Sequence, residues 1–331
     1  MKKLSFLIAI FLIVSCANEP SNELTIYTSR QPQLIEPIIE KFTEQTGIKV
    51  NYLSGNAQEL MERIDVEGIK SPADIFMTVD AGVLWQAAER DIFETINSDV
   101  LKNNIPSYLR DPNNQWFGLS KRARTIVFSN DQFSEDDFSS YEDLADPKWK
   151  GKLCLRTSKK VYNRSLMASM IDTYGFEKTK DVVSGWVSNL ATDVFSNDTN
   201  ALKAVSSGQC GMTIVNTYYF ARLLDDPQYD NLSLFWANQN DRGVHVNISG
   251  AGVVKTSENK KNAILLLEYL SSNEAQDLYA SANKEYPVLN GAKVHESIKG
   301  WGEFKEDNIN VSKLGSLQKD AVFLAQEVNY K

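Results

Sequence analysis

The sequence predicts an α/β fold of two lobes, each a mostly parallel sheet flanked by helices, joined by a hinge of two strands. The chain has 331 residues, which is more than a single compact core usually holds. Strand and helix patterns alternate from residue 24 onward, as is typical of parallel sheets. Two long strand patterns, near residues 122–128 and 244–254, place two crossings between the halves of the chain.

The first lobe is predicted to consist of residues 23–121 and 250–331. It opens with strand patterns at 24–27, 48–53 and 73–78 and helix patterns at 34–46, 56–67 and 84–90. A strand, a helix and a strand in this order form the βαβ unit of a parallel sheet. Amphipathic patterns at 260–270, 274–282 and 311–328 predict three more helices, which complete this lobe.

The second lobe is predicted over residues 122–249 and is entered by a long strand at 116–130. Further strands are expected at 152–155 and 210–215. Three helices are expected as well: one that ends near residue 174, one over 181–189 and one over 197–207. Two of these strands share one layout: each is followed by a polar turn and a tyrosine at the start of a helix. Ligands of open α/β sheets gather at such places.

The N-terminus carries the pattern of an export signal. A basic start at residues 1–3 precedes an apolar run, residues 4–14, that is too short to span a bilayer. Ile13-Val14-Ser15-Cys16 resembles a bacterial lipobox, in which the leader is cut before a cysteine that becomes lipidated. We therefore predict a signal peptide over residues 1–15, lipidation of Cys16 and a tether over residues 16–22. An ordinary signal peptide with an incidental Cys16 is the alternative.

The charge balance is acidic. Removal of residues 1–15 takes away two lysines and no acidic residue, which changes the net charge from −8 to −10. An acidic surface argues against nucleic acid and anionic membranes as partners. Membrane contact is therefore expected only through the lipid anchor, while a local basic cleft remains compatible with this charge.

The adjacent tyrosines Tyr218 and Tyr219 follow an apolar strand pattern and the capping residues Asn216 and Thr217. A free phenol titrates near pH ~10, but a bound trivalent cation can hold the phenolate at neutral pH. A tyrosine pair at the start of a helix is thus a candidate for a hard oxygen site, and a buried aromatic pair is the alternative. Tyr162 repeats the layout after the preceding strand, so we predict that it belongs to the same site.

The cysteines and histidines limit the other chemistries. Cys154 and Cys210 either form one disulfide, as an exported protein allows, or remain two buried thiols. There is no CxxC motif, and the two histidines, His245 and His295, are far apart, which argues against zinc and haem. There is no GxSxG motif and no Ser-His-Asp arrangement, so we do not expect an enzyme.

Six stretches in order carry a family resemblance. They are residues 27–32, 72–75, 122–124, 154–163, 216–222 and 245–250. From residue 24 onward the chain resembles the ferric-iron substrate-binding proteins of bacterial ABC transporters. The resemblance implies the type II periplasmic binding protein fold, a periplasmic location and a monomer that delivers iron to a membrane permease and its ATPase.

The resemblance also implies roles for individual residues. Tyr162, Tyr218 and Tyr219 match the family's iron-binding tyrosines. Gln31 and Pro32 stand where many members have a histidine or tyrosine, so the chain is similar to the subclass that binds Fe³⁺ through three tyrosines and a synergistic anion, such as carbonate, bicarbonate or citrate. The implied anion-binding residues are Arg30, Gln31 and the backbone near Ser158 and Lys159. Arg122 and Arg222 are implied to balance or orient the phenolates.

Two alternatives stay open at this point. Asp80 lies near the place of a carboxylate ligand in some relatives, but it also suits the cap of a helix. The same fold also binds other small solutes, namely anions and thiamine-like organic molecules. In that case Tyr218 and Tyr219 would stack on the solute or donate hydrogen bonds to it.

Overall fold

The computed structural model describes residues 22–331; the predicted signal peptide and Cys16 lie outside the described residues. The strands are β1 Glu23–Thr28, β2 Lys49–Ser54, β3 Ile75–Thr78, β4 Phe117–Ser129, β5 Leu153–Cys154, β6 Met212–Asn216, β7 Leu232–Phe235 and β8 Val246–Val253. The helices of the first half are α1 Glu36–Thr46, α2 Ala57–Glu67, α3 Ala81–Glu89, α4 Asp99–Asn104, α5 Val161–Tyr174 and α6 Phe176–Ser188. The remaining helices are α7 Asp198–Ser206, α8 Thr217–Ala221, α9 Lys260–Leu270, α10 Asn273–Asn283, α11 Glu296–Lys299, α12 Lys313–Ser316 and α13 Gln318–Glu327. None of the helices between residues 22 and 331 has the length and apolar character needed to cross a membrane.

The strands form one continuous sheet in the order β2-β1-β3-β8-β4-β6-β5, with β7 also paired to β4, and β4 divides it into a first sheet and a second sheet, one in each lobe. In the first lobe, β1 pairs in parallel with β2 and β3, while β8 pairs antiparallel with β3 and β4. In the second lobe, β5 and β6 are parallel, but β4 pairs antiparallel with β6 and β7. The sheets are thus mixed rather than mostly parallel, because the crossing strands run against their neighbours.

The long strand β4 joins the two lobes. Its residues 117–123 pair with β8 in the first sheet, and its residues 124–128 pair with β6 in the second. At the return crossing, Val246 of β8 lies opposite Ala123 of β4. Glycine is required in β8 because a Cβ atom on Gly250 would lie 2.4 Å from the Phe117 carbonyl oxygen. The two strands therefore cross side by side, close to the predicted hinge segments.

The C-terminal segment of the predicted first lobe also contacts the second lobe. The predicted helix at 311–328 is divided into α12 and α13, and α12 packs on both α3 and α5. α13 packs on α5 and α6, and the ring of Phe323 stacks on that of Phe176. The chain ends on the second lobe because Tyr330 is buried there and its hydroxyl donates to the Arg156 carbonyl oxygen at 2.6 Å.

A disulfide joins Cys154, at the end of β5, to Cys210, just before β6. The two strands are parallel neighbours, and Leu153 lies opposite Met212. The bridge therefore links the strands that lead to α5 and to α8, the two helices that begin with the predicted site tyrosines.

Candidate metal centre

The second lobe brings the three tyrosines together because β5 and β6 are parallel neighbours. Their carboxyl ends meet at one edge of the sheet, so the helices that follow begin side by side. Tyr162 is the second residue of α5, and Tyr218 and Tyr219 are the second and third residues of α8. α8 has only five residues, so its dipole stabilises a phenolate at its start only weakly.

A buried polar network fixes the starts of these two helices. Arg124 of β4 donates to the side-chain oxygens of Asn163 and Asn216, which stand next to the tyrosines in sequence. The same guanidinium lies 2.9 Å from Asp198, whose carboxylate also accepts from the Asn216 amide. Arg124 is therefore structural: its donors are occupied by groups that position the tyrosines.

The phenol groups converge. The ring centroids of Tyr218 and Tyr219 are 4.5 Å apart. The hydroxyl of Tyr218 accepts from Asn216 Nδ2 at 3.2 Å. All three tyrosines line the same cavity.

Arginines surround the phenols. The guanidinium of Arg122 lies 5.3 Å from the ring centroid of Tyr162, and that of Arg156 lies 5.1 Å from the same centroid. The exposed Arg222 lies 5.1 Å from the ring of Tyr218 and 6.0 Å from that of Tyr219. Positive charge beside each ring favours the phenolate over the phenol.

Residues of both lobes and of the crossing strands enclose a cavity of about 150 Å³ in front of the phenols. Its lining residues are Ser29, Arg30, Gln31, Leu34, Val79, Arg122, Tyr162, Tyr218, Tyr219, Arg222, Ser249 and Glu285. The tyrosines form the wall from the second lobe, and the loop after β1 forms the opposite wall. The cavity therefore lies between the lobes.

Several donors in this wall are buried and have no hydrogen-bond partner among the described residues. They are the Ser29 hydroxyl, Nε of Arg30 and both terminal nitrogens of Arg122. Buried donors without partners are costly, and a cluster of them beside a cavity indicates a ligand that accepts hydrogen bonds. Arg30 is held in place by Glu285, whose carboxylate lies 2.7 Å from it and also accepts from Ser120 at 2.6 Å.

The electrostatics keep Tyr162 and Tyr218 protonated until a cation binds. Burial raises the pKa of Tyr218 well above its ordinary value, and the neighbouring phenols Tyr162 and Tyr219 raise it further. Burial and Tyr219 also raise the pKa of Tyr162, against the lowering effect of Arg122. Conversion of these phenols to phenolates therefore requires a strong positive charge in the cavity.

Asp80 does not line the cavity. Its carboxylate caps α3 by accepting from the Gly82 amide at 2.8 Å, and it also accepts from Ser165 and Asn247. Burial raises the pKa of Asp80, and Arg122 at 3.9 Å opposes that effect. The helix-cap alternative thus describes its position.

Ser158 and Lys159, which were expected beside an anion, are not among the residues that line the cavity. The Ser158 amide donates to the Lys331 carbonyl oxygen at 2.7 Å, and its hydroxyl donates to that of Tyr330. The exposed Lys159 donates its amide to the Thr157 hydroxyl. The C-terminal residues, whose docking here the sequence does not predict, thus occupy both donors of Ser158.

Several residues of the centre were not predicted from the sequence, among them Ser29, Glu285 and Arg156. Ser29 and Glu285 line the cavity, and Arg156 stands behind Tyr162. Ser29 and Arg156 are close in sequence to residues that were singled out, but Glu285 meets Arg30 across a separation of 255 residues. The remaining predicted residues, including the exposed Gln31, lie at the cavity.

No group of three or more His, Cys, Asp or Glu side chains within residues 22–331 is arranged to hold a metal ion. The candidate donors of the cavity are phenolic oxygens instead. Such hard, anionic oxygens suit hard cations of high charge. The donor set and the unpartnered arginine nitrogens together fit a trivalent cation and an accompanying anion.

Comparison with known sequences supports this chemistry. The family model of the bacterial extracellular solute-binding proteins matches residues 27–277. Iron uptake protein A1 of Synechocystis sp. is 43% identical, and the match covers 97% of this chain and 93% of that protein. The major ferric iron-binding protein of Neisseria meningitidis serogroup B is 26% identical over 80% of this chain and 81% of its own.

Solved structures give the same result. A Trichodesmium protein named IdiA or FutA, in complex with iron and citrate ligands, superposes with a TM-score of 0.90 at 44% identity, covering 93% of this chain and all of that chain. The Mannheimia haemolytica ferric iron-binding protein A, in an open conformation, superposes with a TM-score of 0.87 at 41% identity, over 93% of this chain and 99% of that one. The predicted two-lobed α/β class is thereby confirmed.

Proposed function

The chain belongs to the bacterial extracellular solute-binding protein family, and from this premise we propose that it captures ferric iron in the periplasm and passes it to the permease of an ABC transporter. The ion is cargo, and no catalytic step is involved. The predicted resemblance to ferric-iron-binding proteins is confirmed by the relatives named above.

The convergence of Tyr162, Tyr218 and Tyr219 on one interlobe cavity carries the proposal. Three phenolates balance the three positive charges of Fe³⁺, so the ion and its three tyrosine ligands together carry no net charge in the buried cavity. Because an isolated buried charge is costly, this balance favours a trivalent over a divalent cation. The arginines around the rings lower the cost of each deprotonation.

A synergistic anion completes the centre. Ser29, Arg30 and Arg122 offer buried donors without partners, and the wall that carries them faces the tyrosines. Citrate accompanies iron in the Trichodesmium structure, and citrate or carbonate accepts hydrogen bonds of the required kind. In this proposal Arg30 and Arg122 hold the anion, Gln31 contributes from the loop after β1, and Arg222 closes the exposed side.

The same proposal includes the transport context. The protein works as a monomer, is anchored by a lipid on Cys16, and serves a permease driven by an ATPase. The first lobe consists of residues 23–121 and 250–331 and the second of residues 122–249, with α12 packing on helices of both lobes and α13 on helices of the second. Iron meets the tyrosines of the second lobe first, and closure about β4 and the return crossing then brings Arg30 to the anion.

A visible absorption titration tests the proposal. The mature protein is titrated with ferric citrate, and phenolate-to-iron charge transfer should give a coloured complex that saturates at one iron per chain. Tyr218→Phe should bleach or shift the band. Tyr229→Phe is the matched control, because Tyr229 is also buried but lies outside the cavity. A colourless wild-type protein without bound iron would overturn the proposal and favour an anionic or organic solute.

A further inference from the structure

Four successive residues, Asn283–Tyr286, touch different walls of the cavity. Asn283 is fully buried, and its amide nitrogen lies 3.4 Å from the carbonyl oxygen of Leu34 in the first-lobe wall. Glu285 holds Arg30, and Tyr286 exchanges two backbone hydrogen bonds with Lys121 on β4, one residue before Arg122. We call these four residues the coupling segment.

Lys284 extends this set of contacts to the second lobe. Its Nζ atom donates to the carbonyl oxygen of Ala221 at 2.9 Å. Ala221 is the last residue of α8, the helix that carries Tyr218 and Tyr219. A helix C-terminus leaves carbonyl oxygens without intrahelical partners and carries a partial negative charge, so an ammonium group is well placed there. Asp225 lies 3.5 Å from the same Nζ but is largely exposed and adds little.

The backbone of Lys284 makes the position unusual. The residue ends α10 in the left-handed conformation, with φ 54° and ψ 31°. Glycine is favoured at such a cap, and other residues rarely adopt this conformation. The side chain is nevertheless mostly buried, with 18% of its surface exposed. Local backbone preference alone therefore does not account for a lysine here.

Side-chain packing supports the same connection. Ala221, Tyr286 and Ile298 form one buried cluster, so the end of α8 is in apolar contact with the coupling segment. The neighbouring ring of Phe220 stacks on Trp301 with centroids 5.5 Å apart. Through these contacts, movement of α8 away from the first lobe would expose apolar surface and break the Lys284 hydrogen bond.

We propose that Lys284 is a positioning residue that ties the tyrosine helix α8 to the first-lobe wall and so slows the release of bound iron. The proposal rests on the proposed function, since it assigns the residue to the same centre. Lys284 touches neither the phenols nor the unpartnered donors. It acts through α8, and loss of its hydrogen bond should favour the open arrangement of the lobes.

The test compares variants at this position in the full mature protein. Holo protein loaded with ferric citrate is mixed with an excess of chelator, and the decay of the charge-transfer band gives the release rate. Lys284→Met should release iron about tenfold faster, because a charge-assisted hydrogen bond is lost. Lys284→Arg, which can still donate to the carbonyl, should stay close to wild type. Lys261→Met, at an exposed position of α9, is the control.

Lys284→Gly separates positioning from simple structural support. Glycine suits the φ of 54°, so its melting temperature should not fall below that of wild type, while its iron release should be as fast as that of Lys284→Met. Wild-type release rates for both Lys284→Met and Lys284→Gly would overturn the proposal. Equally fast release from Lys284→Arg would also overturn it, because the hydrogen bond would then not be the cause.

Small-angle scattering provides a readout that does not depend on iron. Lys284→Met should have a larger radius of gyration than wild type and Lys261→Met, because its lobes are apart more of the time. If wild type forms no coloured complex, the proposed function fails, while the scattering still decides the role of Lys284. Identical scattering from all three proteins would refute the coupling itself.

Discussion

Glu285→Gln should lower the stability of the protein, because it leaves the buried guanidinium of Arg30 without its charged partner. Wild-type Glu285 and Arg30 are almost fully buried, with 8% and 2% of their side chains exposed, and their charged atoms are 2.7 Å apart. Breaking a buried pair leaves an uncompensated charge and costs about 3–5 kcal/mol. The unfolding entropy is near 2.1 cal/mol/K per residue, summed over about 310 described residues. Dividing the stability loss by this entropy gives a fall in melting temperature of roughly 5–8 °C.

The pH dependence of this loss follows from the pKa of Glu285. Burial raises that pKa, but Arg30 and Ser120 lower it by more, so it lies below the ordinary value. The wild-type carboxylate therefore contributes its full stability at neutral pH and loses it as the pH falls through the lowered pKa. The difference between wild type and variant should persist down to about pH 4, the usual range of a Glu carboxyl, and shrink only below it.

The assay is thermal unfolding of both proteins, with and without citrate. Citrate should recover part of the loss in Glu285→Gln, because a bound anion compensates the released guanidinium. The control is Glu44→Gln, which breaks an exposed ion pair between Lys41 and Glu44, with 45% and 66% of their side chains exposed. It should change the stability by less than about 0.5 kcal/mol. If the stability loss in Glu285→Gln were as small as that in the control, the buried guanidinium of Arg30 would not depend on Glu285 for charge compensation, and the reasoning would be refuted.

Two further predictions concern proton release and the disulfide. Iron binding should release roughly three protons, one per phenol, and its affinity should increase as the pH rises, because the pKa values of Tyr162 and Tyr218 are raised. Calorimetry in buffers of different ionisation enthalpy counts the released protons. A count near zero would contradict phenolate ligation. Removal of the disulfide by Cys154→Ala with Cys210→Ala should lower the stability by about 4 kcal/mol, given the separation of 56 residues; an unchanged melting temperature would contradict this.

The local part of the centre was predictable from sequence. Tyr162, Tyr218 and Tyr219 each follow a strand and a polar turn, and parallel strands bring such places together. The βαβ opening was predictable for the same reason, since Asn56 and Gly47 mark helix ends by capping and by a left-handed φ. These features depend on neighbours in sequence.

The long-range part was not predictable. The pairing of Arg30 with Glu285 and the docking of Tyr330 onto Arg156 join segments that carry no shared pattern. The predicted helix at 311–328 is divided at Leu317, and Gly315 of α12 lies against Trp85, where a Cβ atom would come within 2.5 Å of the tryptophan side chain; this packing contact also joins distant segments. The short edge strand β7 alternates buried and half-buried residues over only four positions, too few for a clear pattern.

The most direct test of the three-tyrosine centre is crystallography of the protein loaded with ferric citrate, using anomalous scattering at the iron edge. We expect one strong anomalous peak in the interlobe cavity, within bonding distance of the phenolic oxygens of Tyr162, Tyr218 and Tyr219, with anion density beside Arg30 and Arg122. A peak away from these oxygens, or a cavity that holds anion but no iron in a loaded crystal, would contradict it.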